Sequence, residues 1–217
     1  MNKDSFLGLD DVAGFSRWFA ERLDTKKAFI HQYEMETKGR GSKTVTWSCN
    51  SIYDAYHQYY WPYSYLDLFT NCTVKGAEYQ DSKEVLKALS LGLRESIRED
   101  NFDACYKYCH MILHWGGVLN GNRNKLISLG SGLTEYLRAC KSYFESEECS
   151  LKRSYSVSIH DQETKIFMTA GFTKIYALLC DDFVIYDGRV GAALGLLVRR
   201  YLISHELDTV PEGLGFY

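Results

Sequence analysis

Two residues of opposite charge, Lys174 and Asp187, stand 13 positions apart in the last third of the chain. A lysine amine in poorly solvated surroundings loses proton affinity and becomes a nucleophile. An aspartate that opens a helix is kept ionised by backbone N–H groups and by the helix dipole. Such a pair suits attack on an electrophilic sugar carbon, the carboxylate stabilising the positive charge that grows as a glycosidic bond breaks. A plainer reading stands beside this one. An aspartate before a helix is usually only its cap, and a lysine on a helix is usually a solvated side chain.

The elements around the pair follow from periodicity. Residues 187–203 read as a helix with Asp187 at its N-cap, because Val190, Ala193, Leu194, Leu197, Val198, Tyr201 and Leu202 fall on one helical face. Gly188, Ala192 and Gly195 make a second face of small residues, which would admit another backbone. Residues 161–168 and 173–180 read as two short helices separated by Thr169-Ala170-Gly171, with an extended connection at 181–186. Lys174 then lies near the start of one helix and Asp187 at the start of the next, both facing one cleft.

TKIYALL (173–179) followed by FVIYDGRVGAAL (183–194) resembles the active-site stretch of the helix-hairpin-helix DNA glycosylase superfamily, which includes the 8-oxoguanine, adenine and endonuclease III-like enzymes. More loosely, it resembles a group of bacterial proteins of no settled activity with the same pattern. The resemblance covers about 35 of the 217 residues. It implies that Lys174 is a Schiff-base lysine and Asp187 the aspartate of the active site. It also implies that Arg189, Gly171, Thr173 and Tyr186 meet DNA or the flipped base. The implied activity is excision of a modified base, with lyase action if the lysine forms an imine. The sequence departs from the family in its hairpin, where Leu-Pro-Gly-x-Gly is reduced to Gly171, and in its short lysine-to-aspartate spacing. No four-cysteine iron–sulfur pattern follows, so no cofactor is expected. The alternative is a non-catalytic DNA-binding or protein-interaction module on the same scaffold.

Other residue groups compete for attention. Cys105, Cys109, His110 and His114 fall on one helix, and the histidines share a face as metal ligands can. The cysteines are rotated away, so buried thiols are the simpler reading and no metal is expected. Tyr53, Tyr56 and Tyr60 share the face of a helix read over 50–60, which makes Tyr56 and Tyr60 candidates for stacking on an extruded base; the alternative is packing in a helical lobe. Lys38, Arg40, Lys43, Arg123, Lys125, Lys152 and Arg153 form scattered basic turns. Gly116-Gly117 reads by default as a plain helix stop, the alternative being a place where backbone approaches a ligand closely.

The whole chain bounds these readings. A 46% apolar and 24% charged composition is that of a globular domain. Only two prolines, Pro62 and Pro211, favour helix. A net charge of −3 argues against tight non-specific DNA binding but permits a local basic patch. Seven unevenly spaced cysteines and no long apolar run imply a cytoplasmic protein with no membrane contact. Further helices are expected at 10–23, 28–35, from Asp81 to about 99, from 100 or 101 to Gly116, and at 132–146. Residues 44–47 and 154–159 are possible strands, 66–80 a loop and 120–124 a turn. The expected fold is mostly α, one compact helical domain over 1–217 or two helical lobes around a cleft, with little β; 161–203 is its active-site unit. The substrate base would lie between the N-terminal helices and residues 173–202.

Overall fold

The computed structural model describes residues 2–23, 29–36, 42–147, 149, 155–159 and 162–215. Lys38, Arg40, Lys152 and Arg153 lie outside them. The larger hydrophobic cluster is built on four helices: α4 (Tyr79–Arg98), α5 (Phe102–Trp115), α7 (Leu133–Glu145) and α8 (Phe172–Leu179). Their periodic apolar residues face inward. Leu93, Cys105, Cys109, Ile112, Leu133, Tyr136, Leu137, Cys140 and Ile175 are all fully buried. Asn101 caps α5 by accepting from the amide of Ala104 at 3.1 Å, as the sequence leads one to expect. The capping carboxylate expected at Asp81 belongs instead to the first turn of α4. It accepts from the amides of Ala77 (2.9 Å) and Glu78 (3.1 Å), so the helix begins two residues earlier.

A smaller cluster joins α2 (Asp10–Leu23) to α9 (Gly188–Ser204). Val12 and Trp18 pack on Val198 and Tyr201, with Phe29 and Leu214 closing the ends. Both helices lie within one residue of the limits read from the sequence. The small-residue face of α9 does something other than expected. A Cβ on Gly188 or Gly195 would meet nothing within 4 Å, so no backbone packs there. The close approach is made from α2, where a Cβ on Gly14 would lie 2.8 Å from the hydroxyl of Tyr201.

The mostly α expectation, with little β, is corrected. The fold is helix-rich but mixed, and among the described residues it holds three antiparallel two-stranded sheets. These are β1–β2 (His31–Glu36 with Thr44–Cys49), β3–β4 (Tyr60–Leu66 with Thr73–Glu78) and β5–β6 (Ser156–Ile159 with Gln162–Lys165). β3 turns Tyr63 and Tyr65 into the larger core, and β5 turns Val157 and Ile159 the same way, in the alternation of a half-buried strand. β1 and β6 have almost no buried residue, so neither carries a hydrophobic period for sequence reading to find. The helix expected at 28–35 is therefore β1, the loop at 66–80 contains β4, and the helix at 161–168 gives way to β6.

Among the described residues there are three shorter α-helices, α1 (Lys3–Leu7), α3 (Ile52–His57) and α6 (Leu119–Ser128). The turn expected at 120–124 is part of α6, whose buried face is Asn122 and Leu126. No helix among the described residues is long and apolar enough to cross a membrane.

Candidate functional site

Lys174 enters α8 from a turn whose hydrogen bonding is unusual. Thr169 acts as the true cap: its carbonyl accepts from the amide of Thr173 at 2.9 Å and its hydroxyl from the amide of Phe172 at 3.2 Å. The amide of Lys174 then bonds to Gly171 at 3.0 Å, a tightened three-residue step. That leaves the carbonyl of Ala170 without its helical amide. The Lys174 amine takes the place, with Nζ 3.0 Å from that oxygen.

The lysine stem runs through the larger core and only 4% of the residue is exposed. It passes Gly116 at the end of α5, where a Cβ would stand 2.5 Å from Lys174 Cδ and 2.7 Å from Cε. The backbone approach expected at the paired glycines is thus made to a protein side chain. Burying an ammonium without a counter-charge is costly. Asp187 supplies the charge, with Oδ2 3.3 Å from Nζ.

Asp187 is also the N-cap of α9. Its Oδ1 accepts from the amides of Arg189 (3.0 Å) and Val190 (3.3 Å). Burial works against its charge. The Val190 and Arg189 amides and the Lys174 ammonium outweigh that and hold the carboxyl below its usual range. The aspartate caps a helix with one oxygen and faces a buried lysine with the other.

The segment between the helices is fixed at both ends. At its start, Arg94 donates to Leu178 O and pairs with Asp181 at 2.8 Å, and Phe183 packs on Phe144 and Tyr176. At its end, the Thr173 hydroxyl donates to Tyr186 O at 2.7 Å. Between segment and helix lies an open cleft of about 550 Å³, within the range of small-ligand sites. Its walls include Met168, Thr173, Phe183, Val184, Tyr186 and Asp187. Lys174 is absent from the lining, as its amine sits behind Asp187 and the Ala170 carbonyl.

Lys174, Asp187, Thr173 and Tyr186 lie close together, but the expectation that Lys174 and Asp187 both face one cleft is corrected: Asp187, Thr173 and Tyr186 line it, and the Lys174 amine is turned to the Ala170 carbonyl and Asp187 behind it. Arg189 stands beside them at the start of α9, its guanidinium 4.4 Å from the centre of the Trp61 ring. Trp61 in turn donates from Nε1 to Trp115 O at 3.0 Å. Gly171 faces inward, against Asn122 and Leu113, and does not line the cleft. Tyr56 and Tyr60 are also corrected. α3 ends at His57 and Tyr60 opens β3, so they share no helical face. Tyr60 is 70% exposed, Tyr56 packs on Tyr79, and neither lines the cleft. The cleft lies within residues 168–188 and is not bordered by the N-terminal helices.

Sequence reading missed the roles of Trp61, Met168, Phe183 and Asn122. Trp61 was hidden in a run of aromatics. Asn122 left one trace, its spacing from Leu119 and Leu126 on the face of α6. Elsewhere, Cys105 and Cys109 lie in the core, and burial first of all lowers the proton affinity of His110. No group of three His, Cys, Asp or Glu side chains among the described residues could hold a metal ion. Burial pushes the Cys140 thiol up to about 12 and the Cys180 thiol to about 11, so neither is a ready thiolate.

No family model matches the chain, and neither curated proteins nor solved structures yield a match.

Proposed function

We propose that the chain is a DNA glycosylase-like protein that excises a modified or damaged base from a flipped nucleotide. The observation that carries this reading is the buried Lys174 amine, 3.3 Å from an aspartate that borders an open cleft. In the reaction the C1′–N bond breaks and its electron pair leaves with the base, which takes up a proton. Asp187, held ionised by its amides, stabilises the cationic sugar; it is poorly suited to be the acid that protonates the base. Lys174, once its proton has passed to solvent, bonds to C1′ through nitrogen. Opening of the C1′–O4′ bond, with a proton going to O4′, gives an imine that permits strand scission by β-elimination.

Arg189 is the candidate phosphate contact. Its guanidinium is exposed and rests against the Trp61 ring, and a guanidinium can pair with phosphate in two bonds. Met168, Phe183 and Tyr186 offer the flipped base a thioether and two aromatic rings. The seven free thiols suit a reducing cytoplasm.

The test is incubation with duplexes carrying an abasic site or a panel of lesions, in the presence of borohydride. A covalent adduct lost in Lys174→Met supports the reading; neither adduct nor base release on any substrate overturns it. One observation favours the second reading, a non-catalytic DNA-binding or interaction module: the Lys174 amine is bonded to the Ala170 carbonyl and Asp187 and does not line the cleft. Salt-sensitive retention of intact DNA in a gel shift distinguishes that module from an enzyme.

A further inference from the structure

Asn122 is a polar side chain buried to 6% exposure on α6, outside the cleft and in contact with the turn that aims Lys174. Its Nδ2 donates to Val118 O at 2.7 Å, which fixes the plane of the amide. Its Oδ1 accepts from the Thr169 hydroxyl at 2.5 Å. With its proton committed to Asn122, the Thr169 oxygen presents a lone pair to the amide of Phe172. The same amide group lies against Gly171 so closely that a Cβ there would overlap it. Asn122 therefore grips both ends of the Thr169–Ala170–Gly171 turn. That turn carries the tightened step which leaves the Ala170 carbonyl free for Lys174 Nζ.

We infer that Asn122 is a positioning residue for Lys174, acting through Thr169 to set the turn whose freed carbonyl, with Asp187, brackets the amine. An amide is well chosen for this. It gives a donor to Val118 and an acceptor to Thr169 without placing a second charge beside the ion pair. Its importance for catalysis rests on the glycosylase reading; its effect on the amine does not.

The test uses the full chain and three variants, Asn122→Ala, Thr169→Val and Thr169→Ser. Lysines are methylated with formaldehyde and borohydride, and Lys174 labelling is compared with that of exposed Lys87 by mass spectrometry. Asn122→Ala and Thr169→Val are expected to raise the Lys174 to Lys87 ratio about tenfold by opening the bracket, and Thr169→Ser to leave it near wild type. On an abasic duplex at saturation, the first two should slow imine trapping on the order of tenfold with DNA affinity unchanged, and serine should rescue. An unchanged ratio overturns the inference, as does a rise shared equally by Lys87, which is general loosening. If the ratio changes as expected while wild type traps no DNA, the positioning role stands and the glycosylase reading falls. If Asn122→Ala fails to fold, the valine and serine pair decides alone.

Discussion

Gly116 gives Lys174 its path: a side chain at this position would stand 2.5 Å from the lysine Cδ. The glycine has φ −76°, so its backbone is open to any residue and its missing side chain is what counts. Gly116→Ala is expected to cost about 1–3 kcal/mol through overpacking and to displace the amine. Urea unfolding and imine trapping check the two effects; an alanine variant of wild-type stability would mean that the lysine stem moves aside freely.

Removing the two partners of the ion pair should have unequal consequences. Lys174→Met replaces a buried charge with an apolar chain of similar length and leaves Asp187 bonded to its two amides. Its stability should stay within about 1 kcal/mol of wild type. Asp187→Asn keeps a competent cap but leaves Lys174 without its counter-charge, at a cost of about 1–3 kcal/mol. Both should abolish imine formation. The reverse order of stabilities in thermal or urea melts would contradict the geometry of the pair.

Acid titration provides a separate check. The Asp187 carboxyl is held below its ordinary value of 3.8 in the folded protein. A carboxyl lowered on folding stabilises the fold fully above its unfolded value, and that contribution is lost as pH falls through the folded value. Urea midpoints followed downward from pH 5 should therefore fall less steeply in Asp187→Asn than in wild type. Asp54, Asp81, Asp100 and Asp181 are shifted in the same direction, so part of the acid limb should persist in the variant.

Arg189 offers a test of DNA contact that does not require chemistry. Arg189→Ala should weaken duplex binding and reduce the slope of log affinity against log salt by about 1. Trp61→Leu should act in the same direction, because the guanidinium loses the ring it rests against. Identical salt slopes in fluorescence anisotropy would remove Arg189 from the interface.

The parts legible in the sequence are those with a strong local cause. Asp187 and α9 were readable because a capping residue precedes an unbroken apolar face, and α2 because its aromatic spacing is helical. Lys174 and Asp187 could be paired because the stretch between them is short. The hairpins were mostly invisible: β1 is exposed on both faces and β6 is polar throughout. The lost helix at 161–168 shows the same limit. Its apolar end, Ile166 and Phe167, packs into the core from an extended chain, bonded through Ile166 N to Tyr155 O (2.8 Å) and through Phe167 N to the Tyr136 hydroxyl (2.8 Å). Trp61 and Asn122 act across long sequence separations, which no single-window pattern records.

The two hydrophobic clusters are linked through the ion pair, since Lys174 lies on α8 of the larger and Asp187 heads the helix that anchors the smaller. From Asp187 to Val198, a helix rising ~1.5 Å per residue acts as a stiff rod of ~16 Å. Loss of grip at its far end is thus felt at the carboxylate. On gentle warming, the part of the molecule around Trp18 and Tyr201 should come adrift first, and the Lys174–Asp187 pair should separate while most of the helical signal survives.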